Sequence, residues 1–121
     1  MLDQIFIRDS VAQLRKNVDR IENCVARLTE DQIWLRGHQS ENAVGNLLLH
    51  LAGNVRQWII SGVGNTPDVR QRDGEFNATS GIPKAELTAR LRATVEEAVP
   101  VIESLNPERL AAFLEKFDPN E

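Results

Sequence analysis

Two stretches of this chain carry apolar residues at spacings of three and four, and no other feature restricts its fold so tightly. In the first, Ile7, Val11, Leu14, Val18, Ile21, Val25 and Leu28 form one stripe. In the second, Leu87, Leu91, Val95, Ala98, Ile102 and Leu105 repeat the pattern. On a helix such residues share a face, the seam along which helices pack in a bundle. Charged residues fill the other faces of the first stretch, so its stripe must be buried against neighbouring helices. A long coiled coil is excluded because the stripe stops at Leu28. There Thr29, with Gln32 three residues on, has the form of a capping box that opens a new helix.

The segments between follow the same logic. A short helix carries Ile33, Trp34 and Leu35 and closes at Gly37. His38, Gln39 and Ser40 make a polar connector, and Ser40 or Asn42 is expected to cap the next helix. That second long helix spans residues 42–61, with Val44, Leu47, Leu48, Leu51, Val55, Trp58 and Ile59 apolar and Leu51 near the centre of the face. Gly45 and Gly53 lie inside it. Each costs roughly 1 kcal/mol against alanine, so Gly53 is expected to admit a neighbouring backbone or a ligand. Gly62, Gly64 and Pro67 break the helix. The polar connection from there to Gly81 is long enough to cross from one end of a bundle to the other. Pro83 suits the first position of a third long helix, which Pro100 should kink. Asn106 and Pro107 cap a shorter fourth helix with Leu110, Phe113, Leu114 and Phe117 on one side, and residues 118–121 end the chain.

No strand pattern is present. The expected fold is all-α, an antiparallel helical bundle, in a single domain over residues 1–121. Three long helices can close a three-helix core. A four-helix bundle needs another long partner, and the fourth long helix is expected to be missing or short, which makes the domain C-terminally incomplete.

Composition excludes several function classes. The 121 residues are 41% hydrophobic and 26% charged, ordinary values for a globular chain. With a net charge of -4 and arginines scattered among acids, there is no basic stripe for nucleic acid. The one cysteine, Cys24, forbids an intrachain disulfide and is expected to be a small buried thiol among Ile21, Val25 and Leu28. The N-terminus has no basic n-region, and no apolar run reaches membrane-spanning length. The expected location is the cytoplasm, with no membrane partner.

His50 carries the chemistry. It is one of two histidines and lies at the border of the apolar face of the second long helix, with Leu47 and Asn54 as helical neighbours. An imidazole there is either a hydrogen-bonded structural residue or a ligand or base facing a cavity. His38, in the polar connector, reads as a solvated side chain. Asn54 and Trp58 follow His50 by one and two turns. Asn54 could orient the imidazole or bond nearby backbone, and Trp58 could be core or pocket wall. Arg70, Arg72, Asp73 and Glu75 either pair among themselves and pin the crossover or offer an arginine to a substrate carboxylate. Asn54, Trp58, Arg70 and Arg72 are therefore the candidate substrate-binding residues.

Asn42, His50, Gly53, Asn54 and Trp58, read as N-x(7)-H-L-A-G-N-x(3)-W, resemble the signature helix of the DinB-like proteins, also called YfiT-like metal-dependent hydrolases. Residues 70–76 resemble the R-x-R-D-x-E-F stretch of an uncharacterised branch of that superfamily. The resemblance covers essentially the whole chain. It implies a four-helix bundle running up-down-down-up, with a long crossover between the second and third helices. It also implies a divalent metal, zinc or nickel, held by three histidines. One matches His50 and the other two come from an H-x-x-x-H pair on the last long helix. The implied activity is that of a thiol S-transferase, using a low-molecular-weight thiol, or a hydrolase, acting on a small molecule. This sequence departs from the pattern because no histidine follows His50. His50 is then one ligand of a metal site whose other ligands lie elsewhere. Asp73 and Glu75 could fill the gap, but no spacing argument brings them to His50. The alternative is a non-catalytic helical module that forms a homodimer through uncovered helix faces.

Overall fold

A computed structural model describes residues 2–38, 40–78 and 80–116. The described residues contain six α-helices and one π-helix, and no strand. They are α1 (Leu2–Ala26), α2 (Glu30–Ile33), α3 (Val44–Val55), the π-helix Arg56–Val63 that continues α3, α4 (Arg72–Asn77), α5 (Lys84–Glu103) and α6 (Pro107–Lys116).

The helix ends show how local chemistry sets the boundaries. At α2 both halves of the capping box form: Thr29 Oγ1 accepts from the Gln32 amide at 3.2 Å, and Gln32 Oε1 accepts from the Thr29 amide at 2.9 Å. The carbonyl of Leu28, left open as α1 ends, accepts from Lys84 Nζ at 2.6 Å, which ties α1 to the start of α5. The start of α3 departs from expectation. Neither Ser40 nor Asn42 caps it; the Ser40 hydroxyl pairs with His38 Nδ1. Instead Asn46, inside the first turn, reaches back to accept from the Ala43 amide at 3.0 Å. Beyond the π-helix, Asn65 takes a left-handed φ of 60°, which asparagine tolerates better than most residues, and the helix stops. Pro100 does not divide α5 into two elements. It sits on the exposed side near the C-terminal end, where one missing backbone bond is tolerated.

α5 is the centre of the packing. Leu87, Leu91 and Val95 meet Val18 and Val25 of α1, Ile33 of α2 and Leu48 of α3. Farther along, Val99 and Ile102 meet Val11. Each such fully buried side chain contributes about 1.5–3 kcal/mol. The residue pairings give the directions. Val11 lies by Ile102 while Leu28 lies by Lys84, so α1 and α5 are antiparallel. Leu48 lies by Leu87 and Leu91 while Arg56 reaches Glu97, so α3 and α5 run the same way. Two parallel neighbours need a long connection, and α4 lies within it, packed on α3.

Because α5 packs against both α1 and α3, those two helices face each other across a groove rather than closing on one another. This corrects two expectations. Cys24 is exposed, not buried, since the Val18 and Val25 side of α1 is the one that meets α5. Leu51, placed at the centre of the apolar face of α3, is 40% exposed, and Leu47 is 46% exposed. The buried side of α3 is Gly45, Asn46 and Leu48. The groove holds about 320 Å³ and is lined by Cys24, Leu28, Val44, Leu47 and Leu51 among others. α6 is short, capped by Asn106 Oδ1 on the Arg109 amide at 2.8 Å, and lies against the π-helix. Phe117 and residues 118–121, assigned above to its apolar side and to the chain end, lie outside the described residues, as do the side chains of Phe113 and Leu114. No described helix is long and apolar enough to cross a membrane.

Candidate functional site

Asn46, His50, Gly53 and Gln57 follow one another at spacings of four, three and four, which puts them on one side of α3 and its π-helical extension. That stripe is where the crossover is held. Asn46 is fully buried. Its amide nitrogen donates to the carbonyl oxygens of Glu75 at 2.9 Å and Ala78 at 2.7 Å. Its oxygen accepts from Arg36 Nη2 at 2.8 Å, and the same Arg36 nitrogen donates to the carbonyls of Phe76 and Ala78. The backbone at the end of α4 would otherwise carry unpaired carbonyls into a part-buried region; Asn46 and Arg36 satisfy them and rivet the crossover to α3.

One turn farther along, Arg70 makes the centre of the site. Its guanidinium holds the Glu75 carboxylate in bidentate fashion, Nη2 to Oε1 at 2.9 Å and Nε to Oε2 at 3.1 Å. Nη1 donates to Gln57 Oε1 at 2.9 Å. Nη2 also lies 3.0 Å from His50 Nδ1. The pair is well buried, with Arg70 7% and Glu75 10% exposed, while His50 is 30% exposed. Glu75 Oε1 stands 3.7 Å from the same His50 Nδ1. The Phe76 ring lies 5.1 Å from the imidazole, and the Arg72 guanidinium sits 5.5 Å from the centre of the Phe76 ring on its other contact.

The two glycines of α3 have separate uses here. A β-carbon at Gly45 would press on the Trp34 ring at 2.8 Å, and Trp34 in turn donates to the Ile82 carbonyl at 3.2 Å. A β-carbon at Gly53 would run into the Glu75 carboxylate, with Arg70 Nε 2.9 Å away. Gly53 is thus the seat of the ion pair: its missing side chain lets a carboxylate lie against the helix.

Of the residues singled out in the sequence, His50 and Arg70 come together. Arg72 reaches the group through Phe76 and is exposed. Asn54 is exposed, and the hydrogen bond to the imidazole comes from Arg70 rather than from it. Trp58 is part-buried in the π-helix. Asp73 is exposed on α4, whereas Glu75, which no spacing argument could bring to His50, is beside it. Asn46, Gln57, Arg36 and Phe76 were not foreseen as parts of the site. For Asn46 and Gln57 a signal existed, since polar residues at helical spacing around His50 mark a face that meets something polar.

Chemically, the arrangement presents one imidazole whose Nδ1 side faces a buried arginine–glutamate pair. His50 and Glu75 are two potential metal ligands, and among the described residues no group of three or more His, Cys, Asp or Glu side chains could hold a metal ion.

Comparison with known proteins gives a family. No curated protein and no solved structure matches the chain. Residues 2–115 match the family described as "Protein of unknown function (DUF1572)", which is part of the DinB-like proteins. With the match running through every described helix, the chain belongs to that family.

Proposed function

We propose that His50 is the ligand-bearing residue of a DinB-like site, and that the chain is part of a divalent-metal-dependent enzyme of the thiol-transferase or hydrolase type. Family membership supports the reading, because the DinB-like resemblance implies a metal-binding histidine on the second long helix of a four-helix bundle. The observation that carries it is how His50 is held. The buried Arg70–Glu75 pair stands on the Nδ1 side of the ring, and Nε2 makes no hydrogen bond among the described residues. A carboxylate orients a metal-binding histidine by accepting from the ring nitrogen that does not bind the metal; Glu75 Oε1, 3.7 Å from Nδ1, is the acceptor on this side, whereas Arg70 only donates.

The described residues alone do not fit a zinc or nickel ion, which needs three protein ligands in a catalytic site. The other ligands would have to come from outside them, in a longer chain or a second copy. In this reading Asn54 and Arg72, both exposed, and Trp58 contact a small-molecule substrate near His50. The compartment is the cytoplasm, where low-molecular-weight thiols stay reduced. The test is metal content after loading with zinc or nickel, for the protein and for His50→Ala. Lower content in the variant is expected, and equal content overturns the reading.

One observation favours a second reading, a non-catalytic module that forms a homodimer. Leu47 and Leu51 are exposed along the apolar groove between α1 and α3. Sedimentation equilibrium would then show a dimer that Leu47→Asp disrupts; a monomer at every concentration sinks it.

A further inference from the structure

Arg20 is a cation without a partner at the edge of an apolar groove. It lines the groove between α1 and α3, whose walls are side chains such as Ile21, Leu28, Val44, Leu47 and Leu51. Arg15 and Arg92 on the neighbouring helix surfaces each hold carboxylates, whereas Arg20 makes no hydrogen bond and no ion pair among the described residues. Its position gives the groove two unlike ends. α1 runs against α5 and α3 runs with it, so α1 and α3 are antiparallel. Arg20 then lies toward Leu51, and Leu28 lies toward Val44, about 12 Å farther along the helix axis. One turn past Leu51 is Asn54, and one turn before Arg20 is Lys16; both are exposed and without a partner among the described residues. Hydrogen-bond donors therefore gather at one end, and the length of the groove beyond them is apolar. Its volume of about 320 Å³ is enough for a small ligand.

We infer that this groove binds a single-chain carboxylate, of the chemical class of a medium-length fatty acid. The head sits on Arg20, and the chain runs past Leu51 and Leu47 toward Val44 and Leu28. A guanidinium fork matches a carboxylate with two parallel hydrogen bonds and stays charged. The hydrocarbon chain covers Leu47 and Leu51, which otherwise stand in water. A second copy seated on the groove by the same face fits less well, because that face holds no carboxylate to receive Arg20. The site is independent of the metal reading, since Val44, Leu47 and Leu51 lie on a different face of α3 from Asn46, His50 and Gly53.

The test titrates the full chain with decanoate, and with decylammonium as a probe of equal chain length and opposite charge. Calorimetry gives the affinities. Cys24 lines the groove, is exposed and is the sole cysteine, so its rate of reaction with a thiol reagent reads occupancy. Decanoate is expected to bind one to one and to slow the reaction of Cys24 severalfold at saturation. It should bind about fivefold more tightly than decylammonium, although the net charge of -4 favours the cation. From hexanoate to decanoate, affinity should climb about two- to fourfold with each methylene. Arg20→Met, at an exposed position, should abolish the preference for the anion, and Leu51→Asp should weaken decanoate binding about tenfold. Absence of decanoate binding overturns the inference without any substitution. A preference for the anion that survives in Arg20→Met overturns it, as does binding that leaves Cys24 as reactive as before. So does a stable dimer in sedimentation whose Cys24 is shielded without decanoate, because the second copy then fills the groove.

Discussion

Arg70 and Arg92 each grip acidic side chains, Arg70 the nearby Glu75 and Arg92 two carboxylates of another helix, but in different surroundings. Arg92 spans from α5 to Asp19 and Glu22 of α1, at 36% exposure, and Arg15 answers it with Glu96 on the same seam. Arg56 and Glu97 make a further exposed link from the π-helix to α5. Arg70 and Glu75 are almost out of water and share their partners with His50, Gln57 and the glycine seat. Water stabilises each exposed charge nearly as well as its partner does, so the exposed clamps set registry between helices that apolar packing already holds together. The buried pair has no such alternative. Taking two charges out of water costs several kcal/mol per ion, and only completed pairing offsets it. The molecule therefore depends on the buried pair staying intact far more than on any clamp, and the buried pair stands where the histidine is.

The largest expected effect follows from leaving one buried charge alone. Glu75→Ala or Arg70→Ala should each destabilise the fold by about 3–5 kcal/mol, read from urea denaturation. Replacing both at once, as Arg70→Met with Glu75→Leu, should restore most of that stability, because neither charge is left without a partner. If the double variant is as unstable as the sum of the singles, the pair does more than satisfy its own charges, and the contrast with the clamps is drawn in the wrong place.

Asn46→Ala comes next. It leaves the part-buried Glu75 carbonyl and the buried Ala43 amide without the partner Asn46 supplies, and the Ala78 carbonyl with Arg36 alone, at about 1–3 kcal/mol for each group that water cannot reach. Its signature is local. Hydrogen exchange should speed up in α4 before it does in α1 or α5. Uniform acceleration would mean that Asn46 holds the whole core and not the crossover.

Gly53→Ala sharpens the comparison because two effects oppose each other. Alanine favours a helix over glycine by roughly 1 kcal/mol. Here its β-carbon meets a carboxylate that Arg70 holds from two sides, so it cannot yield as a free side-chain end would. The substitution should destabilise the wild type. In a Glu75→Ala background the carboxylate is gone and only Arg70 Nε, 2.9 Å away and no longer clamped by Glu75, has to shift, so the same substitution should turn stabilising, by at most about 1 kcal/mol. A stabilising effect in both backgrounds would show that Gly53 is not the seat of Glu75.

The same contrast explains what could be read from the chain before its fold was seen. The stripes of α1 and α5 were legible because apolar burial repeats with the helix, and Thr29 with Gln32 because a cap is a local contact. The helix order and the crossover were legible from periodicity and its interruption. The site was legible only in part. His50, Gly53 and Arg70 stood out, but their meeting depends on where a connection of some twenty residues folds back, and no local rule gives that. The misplaced face of α3 has a similar cause. Leu47 and Leu51 are as apolar as Leu48, and only the position of α5 decides which of them is covered. Cys24 was expected in the core for its type, whereas its helix turned the neighbouring Val25 inward instead.

The smallest expected effect belongs to Glu96, and its value lies in its pH dependence. The hydrogen bond from Arg15, with their mutual attraction, holds the Glu96 carboxyl below its ordinary value of 4.5, and the same contact raises Arg15. A carboxyl depressed in the folded state favours folding fully above its unfolded value, and loses that contribution as pH falls through the folded value. Glu96→Gln should therefore be slightly less stable than the wild type at pH 7. The gap should hold down to the ordinary carboxylate range and close below it. It should also narrow at 1 M salt, where charges are screened within about 3 Å. Urea midpoints for both proteins from pH 7 to pH 3 make the measurement. A gap that ignores pH and salt would mean that Glu96 acts through packing and not charge. A gap as wide as that of Glu75→Ala would break the contrast altogether, for an exposed clamp would then hold the fold as firmly as the pair buried beside His50.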